Sequence, residues 1–271
     1  MYEKYWKLTE KPFQNTPDPR YLYASDQHED ALMKLTCTVT EGLGAGMLTG
    51  IFGCGKTLLA RALVQGIGVD RYKIAMINNP LVDSVELLRA IVRSLKSVEL
   101  PEKRTELMAD ACLEELNKIL VNNMDDGKQT IVIVDEAHSI TDPKTFEEIR
   151  LLLNFQLDSK FMLTLLLLGQ PELRSKVDDL KPLEQRIAIK CHLKEFALEE
   201  TANYIAHRLQ VAGRSDALFT DDAVKMIYEK SGGIPRRINR ICDISLLTGF
   251  GRKSEKVDAA LVHKSLQEFG N

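Results

Sequence analysis

Residues 50 to 57 of this chain read Gly50-Ile51-Phe52-Gly53-Cys54-Gly55-Lys56-Thr57. Their spacing fits the pattern G-x-x-x-x-G-K-[ST], in which the backbone N–H groups of a glycine-rich loop surround phosphate groups. The apolar stretch 45–49 predicts a buried strand before the loop, and residues 58–64 predict a helix after it. A strand, a glycine loop and a helix in this order bring a phosphate to a helix N-terminus. The stretch therefore predicts that the protein binds a nucleoside triphosphate.

The side chains of this loop have distinct predicted roles. Lys56 would reach the β- and γ-phosphates, and the Thr57 hydroxyl would hold Mg²⁺. Cys54 is an unusual residue at a variable loop position, and we expect a buried, unreactive thiol because nothing in the sequence lowers its pKa. The other predicted nucleotide contacts lie in the loop or at the start of the helix that follows it and are Gly50, Phe52, Gly53, Cys54, Gly55 and Leu58.

A second decisive stretch is Thr130-Ile131-Val132-Ile133-Val134-Asp135-Glu136-Ala137-His138. Its unbroken β-branched run is typical of a strand buried on both faces of a parallel sheet. The two acids follow at the carboxyl end, where α/β sheets place their chemistry. Asp135 would fix Mg²⁺ through its water shell, and Glu136 would orient and polarise the attacking water as general base. His138 is interpreted as a hydrogen-bonded loop residue rather than a catalytic one.

Two further candidates follow downstream. A helix is predicted at about 143–157 and a buried strand at 161–168, which ends at Gly169-Gln170-Pro171. A polar side chain at this strand end can hydrogen-bond the γ-phosphate or the water, and Gln170 is the candidate, although a glutamine that only shapes the loop is a competing interpretation. Arg186 can supply positive charge to a neighbouring subunit's nucleotide, whereas spacing alone favours a surface arginine.

The composition excludes several classes of protein. The chain has 271 residues, a net charge of -3 and a pI near 6.0, which gives no global electrostatic reason to expect nucleic acid. Its five cysteines lie far apart, so they indicate neither a disulfide framework nor a zinc site. No signal peptide and no apolar run of membrane-spanning length is present in the sequence. These observations predict a soluble, cytoplasmic protein.

The order of predicted elements indicates three regions. Residues 1–27 are rich in aromatic residues and proline, and they either line the nucleotide base or simply pack on the core. Residues 28–195 alternate strands with helices, among them helices at 84–97 and 104–122. Residues 196–271 read as helices only, near 198–212, 220–231, 235–249 and 257–267. We expect an α/β core with a parallel sheet, followed by a small all-helical lid domain.

Motifs along nearly the whole chain resemble the AAA+ ATPases of the ExeA/GspA type. The resemblance rests on Tyr5-Trp6-Lys7-Leu8, Thr16-Pro17-Asp18-Pro19-Arg20-Tyr21-Leu22-Tyr23, Gly169-Gln170-Pro171-Glu172-Leu173 and Gly233-Ile234-Pro235-Arg236-Arg237-Ile238-Asn239. It implies a P-loop AAA+ fold, in which helices sandwich the parallel sheet, and it implies ATP with Mg²⁺ as the ligands. No guanine-reading N-K-x-D motif appears, which also favours ATP.

The resemblance also assigns roles to single residues. It implies sensor 1 at Gln170, an arginine finger at Arg186, a sensor 2 arginine at Arg236, and Asn79 as a switch residue that restrains Glu136. Members of the family assemble as homo-oligomeric rings, with a hexamer as one possible size, so Arg186 would act on the nucleotide of the neighbouring subunit.

The predicted function is hydrolysis of ATP coupled to the assembly or remodelling of a partner, with an envelope secretion or pilus-type complex as the expected partner. The alternative is a DNA-bound regulator of transposition, similar to TniB and TnsC, that forms ATP-dependent rings or filaments. Secretion-type members continue into a transmembrane helix and a peptidoglycan-binding domain, so the chain is expected to be either a stand-alone member or the ATPase module alone.

Overall fold

The computed structural model describes residues 1–68, 70–78, 80, 83–96, 109–158 and 160–269. The strands are β1 Ala45–Gly50, β2 Tyr72–Asn78, β3 Gln129–Asp135, β4 Gln156–Leu157, β5 Lys160–Phe161, β6 Leu163–Gly169 and β7 Ile187–Leu193. The helices are α1 Asp26–Thr40, α2 Lys56–Ile67, α3 Ser84–Lys96, α4 Ala109–Asp125, α5 Pro143–Leu152, α6 Glu172–Asp178, α7 Lys181–Glu184, α8 Leu198–Val211, α9 Asp221–Ser231, α10 Pro235–Arg252 and α11 Ala259–Phe269.

The chain divides into two compact units. The helical unit comprises Met1–His28, Ile51–Leu59 and Lys194–Asn271. The sheet unit comprises Glu29–Gly50 and Ala60–Leu193. Each unit is assembled from non-contiguous stretches of chain, whereas the sequence analysis expects three consecutive regions. The expected domain boundaries therefore stay a prediction.

The sheet unit is built on a parallel sheet. In the described residues it has five strands in the order β2-β3-β6-β1-β7, and all four pairings are parallel. Every residue of β1 and β6 is buried, as the apolar runs in the sequence predict for strands covered on both faces. One face packs on α3, α4 and α5 through side chains such as Leu87, Leu116 and Ile149. On the other face, Leu35 and Thr38 of α1 approach the backbone at Gly46. Helices therefore sandwich the sheet, and the predicted fold class is confirmed.

One predicted helix is too long. The structure ends α5 at Leu152, where the N–H of Leu153 bonds the carbonyls of Arg150 and Leu151. Gln156–Leu157 then pairs antiparallel with Lys160–Phe161 in a small separate sheet. The expectation of a helix at 143–157 is therefore wrong over its last five residues. The following strand, expected at 161–168, begins at Leu163.

The helical unit has its own apolar core. Helices α8 to α11 supply most of it, and the N-terminal segment adds Tyr2, Trp6, Leu8 and Phe13. The Trp6 Nε1–H donates to the carbonyl of Leu246 at 2.9 Å. The N-terminal aromatic residues thus pack among the C-terminal helices of this unit. That arrangement favours the packing interpretation for these rings.

Candidate functional site

The phosphate loop belongs to the helical unit, where glycines give it its path. Gly53 and Gly55 have φ angles of +90° and +98°, a region that residues with a side chain rarely adopt. Helix α2 begins at Lys56, immediately after this turn. The Lys56 side chain is 5 % exposed, and its Nζ donates to the carbonyl of Ile51 at 3.1 Å. The loop therefore folds tightly around a buried ammonium group beside a helix N-terminus, which suits a phosphate ligand.

The thiol of Cys54 in this loop is unreactive. Cys54 is buried, and burial raises the pKa of its thiol to about 11. The group therefore stays protonated near neutral pH and is a poor nucleophile. This agrees with the expectation of an unreactive cysteine.

Arg236 lies directly against the phosphate loop within the same unit. Its backbone N–H donates to the carbonyl of Gly53 at 3.3 Å. Its guanidinium carbon lies 4.6 Å from the centre of the Phe52 ring, which is 55 % exposed. A Cβ atom on Gly53 would come within 2.8 Å of the Arg236 Cβ, so the close approach requires glycine. The first turn of α10 is thus fitted to the loop, and the predicted sensor 2 arginine is one of the residues that make the fit.

His28 contacts the same loop and was missed in the sequence. Its Nε2 lies 3.1 Å from the carbonyl oxygen of Cys54, and its Nδ1 lies 2.7 Å from the hydroxyl of Ser25. The carbonyl only accepts, so Nε2 carries the proton and donates, while Nδ1 accepts from Ser25. The ring is 3 % exposed, and burial lowers its pKa. The sequence shows an isolated histidine at position 28, and spacing alone does not indicate a contact with a loop 26 positions away.

The predicted acids lie in the sheet unit, at the end of β3. Asp135 is the last residue of that strand and is buried. Its Oδ1 accepts from the backbone N–H of Glu136 at 2.9 Å. Glu136 has a φ angle of 57°, a conformation that is uncommon for a residue with a side chain. The chain therefore turns sharply at the residue predicted to be the general base.

Gln170 lies close to this turn. It follows β6, which is the neighbour of β3 in the sheet. Its Nε2 is 2.8 Å from Nε2 of His138, and that same ring nitrogen is 3.4 Å from Oε2 of Glu136. Gly50, Asp135 and Gly169 each end one of three adjacent parallel strands, so they share one edge of the sheet. The structure thus brings together two predicted residues, Glu136 and Gln170, through a histidine to which the sequence assigned no catalytic role.

The remaining predicted residues lie elsewhere. Arg186 is half-buried, and its Nη1 donates to the carbonyl of Leu153 at 3.0 Å. Asn79 lies outside the described residues. The predicted roles of the individual site residues stay predictions.

The donor atoms suit ATP and Mg²⁺ in kind. Glycines with positive φ angles beside a helix N-terminus form a turn that suits phosphate groups. Among the described residues, no group of three or more His, Cys, Asp or Glu side chains could hold a metal ion. Magnesium, however, is commonly bound by one or two protein oxygens together with substrate phosphates, and Thr57 and Asp135 are each of a residue type that can supply such an oxygen.

Comparison with known protein families identifies the chain at the level of its family. Residues 39–177, about half of the chain, match the family described as AAA domain. The chain belongs to the AAA domain family. This membership puts the protein among the P-loop ATPases, in agreement with the phosphate loop and the acidic strand end.

A named relative of this AAA domain protein is general secretion pathway protein A of Aeromonas hydrophila. The two are 37% identical over 259 residues, which make up 95% of this chain and 46% of the relative. The resemblance to the ExeA/GspA type is therefore confirmed. The chain spans about half the length of that relative.

Solved structures support the fold of the AAA domain protein. The Aeropyrum pernix ORC2 protein, in ADPNP–ADP complexes, is 21% identical with a TM-score of 0.73, covering 96% of this chain and 71% of that one. Cdc6p from Pyrobaculum aerophilum is 18% identical with a TM-score of 0.77, covering 95% and 70%. At these identities the likeness shows the fold alone. Among the helices of the described residues, none has the length and apolar character needed to cross a membrane.

Proposed function

We propose that this protein is a Mg²⁺-dependent ATPase whose nucleotide state switches an oligomer that assembles or remodels a partner complex. The observation that carries the proposal is the polar group at the end of β3, where Glu136 and Gln170 converge on one histidine ring. A general base and a polar sensor on adjacent strand ends are what hydrolysis of a bound triphosphate requires. Family membership supports the same reaction.

The proposed binding residues come from the motifs already described. Lys56 and the backbone of the loop would hold the phosphates, and Thr57 and Asp135 would hold the metal. Arg236, whose guanidinium lies over the Phe52 ring, would respond to the γ-phosphate. When bound, Mg²⁺ neutralises charge on the phosphate oxygens.

Glu136 would carry out the proton transfer. It accepts a proton from water while the water oxygen bonds to the γ-phosphorus. The bond from that phosphorus to the bridging oxygen breaks, so ADP and inorganic phosphate are the products. Gln170 would hydrogen-bond the water or a γ-phosphate oxygen and so define the direction of attack.

The family and the named relative support a proposal for the partners. We propose a homo-oligomeric ring, in which Arg186 of one subunit compensates charge on the nucleotide of the next. We propose an envelope secretion or pilus-type complex as the partner, with the protein acting on the cytoplasmic side; the name of the relative, which refers to a general secretion pathway, supports the secretion part of this proposal.

A pair of substitutions tests the enzymatic proposal. Glu136→Gln removes the base and keeps the shape, so it should bind ATP normally and hydrolyse it about 100-fold or more slowly. Lys56→Ala removes the ammonium group and should abolish measurable binding. Fluorescent nucleotide titration and phosphate release provide the two measurements. Tight binding by Lys56→Ala, or full turnover by Glu136→Gln, would overturn the proposal.

A DNA-bound regulator remains a second candidate because of one surface feature. A cavity of about 590 Å³ beside β2 is lined in part by Arg61, Lys73 and Lys128, together with Asp70. Several cations in one concavity can attract a nucleic-acid backbone despite the acidic pI. Salt-sensitive binding to a DNA duplex that requires ATP would favour this candidate, and no binding at low salt would exclude it.

A further inference from the structure

His138 has contacts that the proposed reaction does not yet use. It lies in the short 3₁₀ turn Ala137–Ser139, directly after the acidic pair. Its Nε2 lies 2.8 Å from Nε2 of Gln170 and 3.4 Å from Oε2 of Glu136. Its Nδ1 is buried and has no hydrogen-bond partner in the part of the chain that the structure describes. One ring nitrogen therefore faces the proposed base and the proposed sensor at the same time.

The backbone around the ring is firmly held. The Lys176 ammonium donates to the carbonyls of His138 and Ile140, at 2.6 and 2.7 Å. The carbonyl of Glu136 accepts from the N–H and the hydroxyl of Ser139, at 2.9 and 2.7 Å. By contrast, the partner that the Glu136 carboxylate has among the described residues is the His138 ring. The main chain of the turn is thus fixed, and the His138 ring is the group that contacts the Glu136 carboxylate in the described residues.

The position of the ring proton follows from the surroundings of the two nitrogens. A proton on Nδ1 would leave a buried N–H group without an acceptor, and it would turn the lone pair of Nε2 toward a carboxylate oxygen. A proton on Nε2 can instead be donated to Glu136. It can equally be donated to Gln170, because a half-turn of the glutamine amide brings its oxygen to the place of its nitrogen. The neutral ring then has one N–H group and two available acceptors.

We propose that His138 is a positioning residue that couples Gln170 to Glu136 through this single N–H group. When Gln170 keeps its amide oxygen on the ring, the proton is shared and the Glu136 carboxylate is loosely held. When Gln170 turns toward a γ-phosphate oxygen or the water, the N–H group is left for Glu136 and orients its carboxylate. The general base is thereby set only when the sensor is engaged. This inference rests on the proposed ATPase function and adds a connection between two of its residues.

Substitution at His138 separates positioning from folding. His138→Ala should lower kcat about 10- to 100-fold, the expected effect of losing one hydrogen bond to a carboxylate, and should leave ATP affinity within about twofold. His138→Gln keeps an N–H donor near the place of Nε2 and should recover most of kcat. His192→Ala is the matched control, because the ring of His192 bonds the Thr49 hydroxyl at 2.9 Å. Equal losses in the alanine and glutamine variants, or losses mainly in ATP affinity, would overturn the proposal.

A double substitution tests the coupling itself. If Gln170 acts on Glu136 through His138, the combined His138→Ala and Gln170→Ala variant should turn over about as slowly as the slower single variant. If the two fold-losses multiply, the residues act independently and no coupling exists.

A spectroscopic measurement shows which nitrogen of the His138 ring carries the proton, and it does not depend on ATP hydrolysis. Two-bond ¹⁵N–¹H spectra of the histidine rings, recorded on the protein without nucleotide, should show His138 protonated at Nε2. Signals that disappear in His138→Gln assign the residue. Protonation at Nδ1 would overturn the proposal even if the protein is an active ATPase. Conversely, a wild-type protein that binds ATP without hydrolysing it would reject the proposed function, while the spectrum still decides the hydrogen bond.

Discussion

His28 shows how a single buried side chain can fix the shape of the phosphate loop. In its neutral form the ring donates to the carbonyl of Cys54 and accepts from the hydroxyl of Ser25. A protonated ring would have to donate from Nδ1 as well, and it would place a charge in a site that is 3 % exposed. Burial at this place beside the loop therefore favours the neutral form of the ring.

The burial of His28 predicts a pH dependence of stability. Burial holds the pKa of His28 below its ordinary value of 6.5 in the folded protein. Below pH 6.5 the unfolded chain therefore binds more protons than the folded one, and the free energy of unfolding falls as the pH falls. The slope attributable to one such group is at most about 1.4 kcal/mol per pH unit. His28→Gln keeps a donor for Cys54 without titrating, so it should lose less stability between pH 6.5 and pH 5.

Urea unfolding curves at several pH values provide the measurement. The pKa of His207 is also lowered by burial, but this residue is present in both proteins, so the difference between their slopes belongs to His28. Identical slopes for the wild type and His28→Gln would contradict the prediction.

At the residue scale, the sequence predicts a role where residue type and spacing together define a chemistry. The lysine and threonine of the loop, and the acids after the β-branched run, are of this kind. His28 and His138 were different. Their roles depend on contacts with Cys54 and with Gln170, and the spacing of residues along the sequence does not show which residues are in contact. The contact of Arg236 with Phe52 likewise joins residues more than 180 positions apart.

At the scale of elements, β6 is the strand on which the sheet unit depends most. It pairs with both β1 and β3, and each of its residues is buried. Leu166 lies on the face that α1 covers, close to Gly46. Removal of its side chain would leave a cavity that neighbours on two strands can close only in part.

Leu166→Ala should therefore lower the free energy of unfolding by about 2 to 5 kcal/mol. The matched control is Leu157→Ala in β4, where the side chain is 49 % exposed and the change should stay within about 0.5 kcal/mol. Urea titration followed by circular dichroism measures both. Similar losses in the two variants would show that burial in β6 is not the source of the effect.

The buried strands were predicted well because a short apolar run such as residues 163–168, in a sequence that also contains a phosphate loop, is hard to interpret as anything other than a strand of a parallel sheet. The end of α5 was predicted poorly because three consecutive leucines, residues 151–153, continue a helical pattern through the position where the helix stops. The hairpin β4–β5 that follows has only two residues in each strand. Elements this short carry almost no periodicity, so sequence reasoning had no signal for them.

At the scale of the whole molecule, the proposed oligomer gives Arg186 its role. The Arg186 guanidinium donates a hydrogen bond to the carbonyl of Leu153 within the sheet unit. The proposal requires the same side chain to act on the nucleotide of a neighbouring subunit. Arg186→Ala should keep ATP binding and lose about 10³-fold in hydrolysis. Arg150→Ala, which removes an arginine paired with Glu147 on the surface of α5, is the matched control and should retain activity.

Mixing Arg186→Ala with Glu136→Gln subunits distinguishes action within a subunit from action between subunits. If the arginine acts on a neighbour, mixed oligomers contain some sites with both functional groups, and phosphate release should partly recover. If oligomers shown to contain both variants remain inactive, Arg186 does not act between subunits.

The division of the helical unit among three stretches of chain has a consequence for synthesis on the ribosome. Gly53 leaves the ribosome about 180 residues before Arg236, to which it is fitted. At about 5 to 20 residues per second, that interval lasts roughly 10 to 40 s. During this time the strands from β1 to β7 can pair, whereas the first turn of α10, which packs on the loop, has not yet been synthesised. The nascent protein should therefore acquire its nucleotide only near the end of translation, after its sheet has formed.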